Sequence, residues 1–387
     1  MEYFDYLSTE DVYLDSACQS LRPRPVIEAL NKYYTEHNSC GERVKYRYGK
    51  ITDELVEETR EKVLKLLRLK AKKYTVSFTL NTTYGINLIL SQINSSKFKK
   101  IMTSNIEHNS PFLATIAFSR RTGLTREIIH READGGIRLS DYDFTDAIVV
   151  VNCASNFDGR KLVNLSELVK TVHKSGGLII IDAAQAMAHS PEILHGVEPD
   201  VICFSAHKMY APSLGVIVWR DELMDRLEPN FLGGGMVDDV WADKYLLSSD
   251  NKEHRFTRFE AGLQAWGEII ALGSAITWLD KLPRSAWDSL KDNAEELFDF
   301  LISSPKVKLV NSAPNPTMSF YIEGLDSHLL GEALSRENIM ARTGYFCAHY
   351  YLSHELALPP LVRFSLGLHN RPTDIEKIKS VMKKLLN

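Results

Sequence analysis

Asp200-Val201-Ile202-Cys203-Phe204-Ser205-Ala206-His207-Lys208-Met209-Tyr210 is the stretch that decides the fold. The apolar run Val201 to Phe204 has the length and composition of a buried strand. A hydroxyl residue, a histidine and a lysine follow it directly. A lysine placed there stands at the carboxyl end of a core strand, where open α/β sheets bind ligands. Desolvation at such a position lowers a lysine pKa and makes the amine nucleophilic. Taken alone, Lys208 reads as a solvated residue opening a surface loop.

Upstream, Gly176-Gly177-Leu178-Ile179-Ile180-Ile181-Asp182-Ala183-Ala184-Gln185 is a second buried strand, and it ends in an aspartate. A carboxylate at the end of an apolar strand is costly unless it is paired. The separation of Asp182 and Lys208 allows one crossover between neighbouring parallel strands. A protonated pyridine nitrogen is a partner that suits Asp182. An aspartate and a lysine on adjacent strand ends are what pyridoxal 5'-phosphate needs, one to keep its ring protonated and one to anchor its aldehyde.

Outward from these strands the pattern alternates. Strand-like runs fall at Tyr74 to Thr79, Lys100 to Thr103, Arg126 to His130, Ala147 to Asn152, Leu178 to Asp182, Val201 to Ser205 and Gly215 to Trp219, with helical runs between most of them. This predicts an α/β large domain, a mostly parallel seven-stranded sheet with helices on both faces. Pro25 opens a helix to about His37, and Thr52-Asp53-Glu54 caps a long amphipathic helix after a loop through Tyr46-Arg47-Tyr48-Gly49. The pattern changes after Phe259-Glu260-Ala261-Gly262. Helices are expected at Gln264 to Leu279, Arg284 to Ile302, Ser327 to Ser335 and from Thr373. Strands are expected at Val307 to Val310, Thr317 to Ile322 and Leu361 to Leu366. The domain expectation is an N-terminal arm over 1–20 packing with the small domain, a large domain over 21–262, and a smaller α+β C-terminal domain over 263–387.

The 387 residues are 44% hydrophobic and 25% charged, with net charge −4. That gives no reason to expect nucleic acid or an anionic membrane as partner. No apolar run is long enough to span a bilayer. The start Met1-Glu2-Tyr3-Phe4-Asp5 is the wrong chemistry for an export signal, so a cytoplasmic location is expected. Five cysteines without a CxxC pair argue against a metal site and for reduced thiols. Cys18, Cys40, Cys153 and Cys203 read as small buried hydrophobes.

Further candidates stand after strand ends. Asn81-Thr82-Thr83-Tyr84-Gly85 opens a helix after the first core strand, either as a plain N-cap or as an anion site. His108, in Glu107-His108-Asn109-Ser110, is by itself a loop histidine able to exchange protons near neutral pH. Arg363 interrupts the apolar Leu361-Val362-Arg363-Phe364-Ser365. It needs an anion there, either a structural acid or a ligand carboxylate held by the guanidinium fork.

From Val12-Tyr13-Leu14-Asp15-Ser16-Ala17 to the last helix, the chain resembles the class V aminotransferase family of fold type I pyridoxal phosphate enzymes. Within that group it is most similar to the cysteine desulfurases and selenocysteine lyases of the SUF type. The resemblance implies that Lys208 anchors the cofactor, Asp182 pairs with its ring nitrogen and His108 stacks on the ring and assists proton transfer. It further implies that Thr82, Thr83, Ser205 and His207 hold the phosphate, and that Asn156 and Gln185 reach the phenolic oxygen. Arg363 then takes the substrate carboxylate. Ala341-Arg342-Thr343-Gly344-Tyr345-Phe346-Cys347-Ala348 matches the Arg-Thr-Gly-x-x-Cys-Ala segment of that type, which puts Cys347 on the sulfur-accepting cysteine. Arg342 is expected to bind substrate and to favour the thiolate, and Arg43 to bind substrate at its mouth.

The implied activity is conversion of L-cysteine to L-alanine with a persulfide on Cys347, in a homodimer that passes sulfur onward, for example toward iron–sulfur cluster assembly. Other expectations for the same scaffold are a selenocysteine lyase, a C–S β-lyase, an aminotransferase, an epimerase or a non-enzymatic partner protein. The chain departs from the family in four places. Asn81 replaces a glycine, a mild change because Asn tolerates left-handed backbone; Leu263-Gln264 replaces the threonine that reaches a neighbouring subunit's phosphate, Ala206 replaces a glycine, and Glu42-Arg43 replaces His-Arg.

Overall fold

The computed structural model describes residues 2–42 and 44–386. The chain forms two compact units. One comprises 25–153 and 161–279; the other comprises the residues up to Arg24, 154–160, and the chain from Asp280 on.

The first unit is built on one seven-stranded sheet. Across it the strands run Tyr74–Thr79, Gly215–Arg220, Val201–Ser205, Leu178–Asp182, Ala147–Asn152, Lys100–Ser104 and Thr125–Ile129. Gly215–Arg220 is antiparallel to both its neighbours, and the other pairings are parallel. Every residue of Ala147–Asn152, Leu178–Asp182 and Val201–Ser205 is buried, as strands covered on both faces require. Register sets Asn152 opposite Asp182 and Asp182 opposite Cys203, so two strands end at one level and Val201–Ser205 runs two residues beyond it. Gly215 is needed where it stands: a Cβ there would come within 2.5 Å of the Asn81 backbone nitrogen. That approach presses the strand end against the turn that opens helix Thr82–Gln92.

Two expectations about this unit are corrected. The long helix runs Arg47–Leu67, so Arg47, Tyr48 and Gly49 are helical rather than loop. Its N-cap, Tyr46, makes no side-chain capping bond, and Thr52 is buried within the helix. Asp53 is no cap either, because it accepts a hydrogen bond from the Glu42 amide. Helix Trp266–Lys281 belongs to this unit over most of its length, so the division falls at 279/280 and not at the Gly262 turn. A hairpin of Val237–Val240 with Tyr245–Leu247 was not foreseen. Its strands are largely exposed and carry Asp238 and Asp239, so no apolar alternation marks them.

The second unit is α+β. Its antiparallel sheet runs Val307–Leu309, Thr317–Ile322, Leu361–Ser365 and Arg342–Gly344. Helices Arg284–Ile302, Ser327–Arg336 and Pro372–Leu386 accompany it. Leu290, Leu297, Phe320, Phe364 and Ile378 are among the residues of its core. The N-terminal arm joins this unit by pairing Val12–Tyr13 in parallel with Ile339–Met340. Among the described residues no helix is long and apolar enough to cross a membrane.

Candidate active site

In the sheet unit, the predicted residues gather on the loops after the strand ends. Lys208 closes a 3-10 turn, Ala206–Lys208, directly after Val201–Ser205. The turn is tied down by Ala206 N–H to Leu214 O at 2.8 Å and Met209 N–H to Ala206 O at 2.9 Å. Ala206 is not among the residues of positive φ, so the family's glycine is not required for the backbone. Asn81 is extended, with φ −173°, and its side chain accepts from Tyr84 N–H. It therefore needs no left-handed tolerance.

Asp182 is 5% exposed, and its Oδ1 accepts from Ala184 N–H at 2.9 Å. Burial pushes its pKa up, against the Ala184 amide and the Lys208 charge, which pull it down. A buried acid in this state gains most from a cationic partner. Glu107, fully buried behind the same strand ends, has its pKa pushed up to about 7 by burial. The Ser104 hydroxyl, the Asn152 amide and the charge of Arg131 oppose that rise. Cys153 and Cys203 are buried thiols whose pKa burial also raises, in keeping with inert structural cysteines.

Hydroxyls converge at the N-terminus of helix Thr82–Gln92. Ser205 Oγ accepts from Thr82 N–H at 2.9 Å and lies 2.6 Å from Thr82 Oγ1. Thr83 Oγ1 lies 2.6 Å from Ser110 Oγ, which lies 2.8 Å from His108 Nδ1. His108 caps helix Asn109–Thr122, its Nδ1 accepting from Ser110 N–H at 3.0 Å. In the neutral ring this leaves the proton on Nε2. His207 precedes Lys208 in the same turn, and Gln185 opens the short helix Ala186–His189. The unit thus offers hydroxyls and a helix N-terminus for an anion, a buried acid for a ring cation, and an adjacent amine. That donor set fits pyridoxal phosphate.

The second unit carries the other predicted residues. Arg363 is 2% exposed. Its Nη1 donates to Asn156 O at 2.8 Å and its Nη2 to Asp15 Oδ1 at 2.9 Å. Its Cζ lies 4.8 Å from the centre of the Phe346 ring. Burial lowers the Arg363 pKa, and Asp15 counteracts it. Asn156 Nδ2 donates to Phe346 O, while its buried Oδ1 has no hydrogen-bond partner among the described residues. Arg342 Nη1 lies 3.4 Å from Asp15 Oδ2 and 3.0 Å from Cys18 Sγ. Cys347 is exposed, and Phe346 and Cys347 both have positive φ, 48° and 58°. Two successive non-glycine residues in that region turn the loop sharply and present the thiol outward.

Some sequence expectations change here. Cys40 is exposed, and Cys18 is only partly buried, against Arg342, so neither is a buried hydrophobe. Arg43 lies outside the described residues. Asp15, Glu107 and Ser110 were not singled out, although an arginine inside an apolar strand signals an acid nearby.

The family model for aminotransferase class V matches residues 12–378. The chain belongs to the class V aminotransferase family. A probable cysteine desulfurase from Pyrococcus abyssi is 28% identical to this class V chain, over 98% of it and 95% of the relative. The apo cysteine desulfurase of Thermococcus onnurineus NA1 superposes with a TM-score of 0.86 at 28% identity, covering 97% of this chain and 95% of that one. The cysteine desulfurase CsdA of Escherichia coli, in an S-sulfonic acid form, gives a TM-score of 0.88 at 24% identity, with 99% and 96% covered. That last likeness speaks for the fold alone. The mostly parallel sheet is the one expected of a class V, fold type I enzyme.

Proposed function

We propose that this protein is a pyridoxal 5'-phosphate-dependent cysteine desulfurase that converts L-cysteine to L-alanine and takes the sulfur onto Cys347. The observation that carries the reading is an exposed thiol on a sharply turned loop, in the same compact unit as a buried arginine with open donor capacity. Relatives named for this activity over nearly the whole chain support it.

Thr82, Thr83 and Ser205, with His207, would hold the cofactor phosphate through hydroxyls and the helix N-terminus. Asp182 would pair with the ring nitrogen, which relieves its burial. His108 would lie on the ring, while Gln185 and Asn156 would serve the phenolic oxygen. Lys208 would be the covalent anchor. When bound, pyridoxal phosphate supplies an electron sink for a carbanion at the substrate Cα.

The chain's own groups do the rest. Arg363 holds the substrate carboxylate, the fork fixing its orientation. Lys208, once free of the cofactor, takes the Cα proton at Nζ. Cys347 thiolate attacks the substrate sulfur; the S–S bond forms as the substrate Cβ–S bond breaks. Arg342, which lies against Asp15 and Cys18, supplies a cation toward the substrate and the reacting thiol. His108 returns a proton from Nε2 on the way to alanine. The persulfide passes its outer sulfur to an acceptor thiol. The working form is a homodimer.

The test is release of alanine and sulfide from L-cysteine with added reductant, wild type beside Cys347→Ala. Equimolar products from wild type and neither from the variant support the reading. Full release by the variant would overturn transfer through Cys347. Transamination of a keto acid, unaffected by thiol alkylation, would move the protein to another class V activity.

A further inference from the structure

Asp15 stands between two guanidinium groups. Its Oδ1 accepts from Arg363 Nη2 at 2.9 Å, and its Oδ2 lies 3.4 Å from Arg342 Nη1. Arg363 also spends Nη1 on Asn156 O, and its Nε is buried with no hydrogen-bond partner among the described residues. Two cations therefore share one acid, and one of them keeps buried donor capacity in hand. Arg342 and Asp15 are partly open to solvent while Arg363 is not. A ligand carboxylate entering from that side meets Arg363 beside a carboxylate already in place.

The backbone holds Asp15 there. Cys18 and Gln19 N–H groups both donate to Asp15 O at 3.0 Å, and the flanking Leu14 N–H donates to Met340 O at 2.9 Å. Asp15 itself bridges to Ser365, two residues beyond Arg363. The backbone that carries the Asp15 side chain is thus fixed at three points, which places its Cβ beside the two arginines.

We infer that Asp15 is a specificity-determining residue: it fills, with the protein's own carboxylate, the place that a second substrate carboxylate would take between Arg342 and Arg363. One entering carboxylate then brings the group to two cations and two anions, a balanced set. A dicarboxylate brings a third anion against Asp15, and like charges at such separations are strongly disfavoured. The site so built admits amino acids with one carboxylate and refuses those with two. This inference rests on the reading of Arg363 as the substrate-carboxylate residue.

The test uses holoenzyme and two unreactive probes, propionate and succinate, with binding measured by calorimetry. In wild type, succinate is expected to bind no tighter than propionate. In Asp15→Asn, succinate is expected to bind at least about tenfold tighter than propionate, since the second carboxylate gains Arg342. An unchanged ratio in a variant with native circular dichroism would overturn the inference. Should Asp15→Asn not fold, Arg342→Gln tests the same idea. Asp15 would then neutralise Arg363 alone, and propionate affinity should fall at least about fivefold. Propionate affinity equal to wild type would overturn it. Neither probe contains sulfur, so absence of sulfide release from L-cysteine counts against the activity alone. Absence of propionate binding to wild type counts against Arg363 and against this inference with it.

Discussion

Arg60 and Glu260, 200 positions apart in the chain, meet through two parallel hydrogen bonds of 2.8 Å, Nη1 to Oε1 and Nη2 to Oε2. Both side chains are buried. Glu260 Oε1 also accepts from Phe78 N–H at 2.7 Å, and Arg60 packs over the rings of Phe78 and Phe256. The pair thus ties the long helix and the first strand of the sheet to the Phe259-Glu260-Ala261-Gly262 turn. Removing one partner leaves a buried, uncompensated charge. Glu260→Ala is expected to cost about 3–5 kcal/mol, measured by urea denaturation. A loss under about 1 kcal/mol would contradict this account of the pair.

Glu107 predicts a pH dependence. Burial raises its pKa to about 7 from an ordinary value of 4.5. The folded protein therefore keeps a proton there that the unfolded chain releases. The stability from this group is full below about pH 4.5 and is lost as pH rises through about 7. Glu107→Gln removes that titration, so the stability of the variant should decline less between pH 5 and pH 8, by about 3 kcal/mol at most. Denaturation midpoints across that range check it; parallel curves for variant and wild type would refute it.

Ser110 joins the two ends of the sheet-unit site, 2.6 Å from Thr83 Oγ1 and 2.8 Å from His108 Nδ1. Ser110→Ala should weaken binding of pyridoxal phosphate by about tenfold and binding of unphosphorylated pyridoxal much less. Absorbance titrations with both compounds decide it. An equal loss for the two would place the role of Ser110 away from the phosphate.

Arg363 divides its fork between Asn156 O and Asp15, a geometry that an ammonium group cannot copy. Arg363→Lys should raise KM for L-cysteine by at least about tenfold with the cofactor absorbance unchanged. An unaltered KM would argue that Arg363 is a structural partner of Asp15 alone.

Much of this was legible in the sequence because burial leaves a plain mark. The unbroken apolar runs Ala147–Asn152, Leu178–Asp182 and Val201–Ser205 lie where they were expected, and helix Arg284–Ile302 matches to the residue. The start of the helix at Arg47 was hidden because Tyr46 caps it without a side-chain bond, while Thr52-Asp53 imitates a capping sequence inside it. Strand Arg342–Gly344 is short and polar and takes its place only by pairing with Leu361–Ser365. The membership of 154–160 in the C-terminal unit is a matter of chain path that no local pattern carries. The candidate positions were legible where polar residues end or follow an apolar strand, as at Asp182 and in the turn that carries Lys208. Asp15 and Ser110 were not, because their roles depend on partners far away in sequence or on a neighbouring helix. Cys18 was misread for the same reason: its neighbour Arg342 comes from the other end of the chain.

The central claim is that sulfur passes through Cys347, and one single-turnover experiment tests it most directly. The holoenzyme would be mixed with less than one equivalent of L-cysteine, without reductant, then alkylated, digested and weighed by mass spectrometry. The account predicts one added sulfur atom on the peptide that contains Cys347, matched by alanine formed, with the peptides of Cys18 and Cys40 unmodified. Alanine formed with free sulfide and no added sulfur on Cys347 would contradict it.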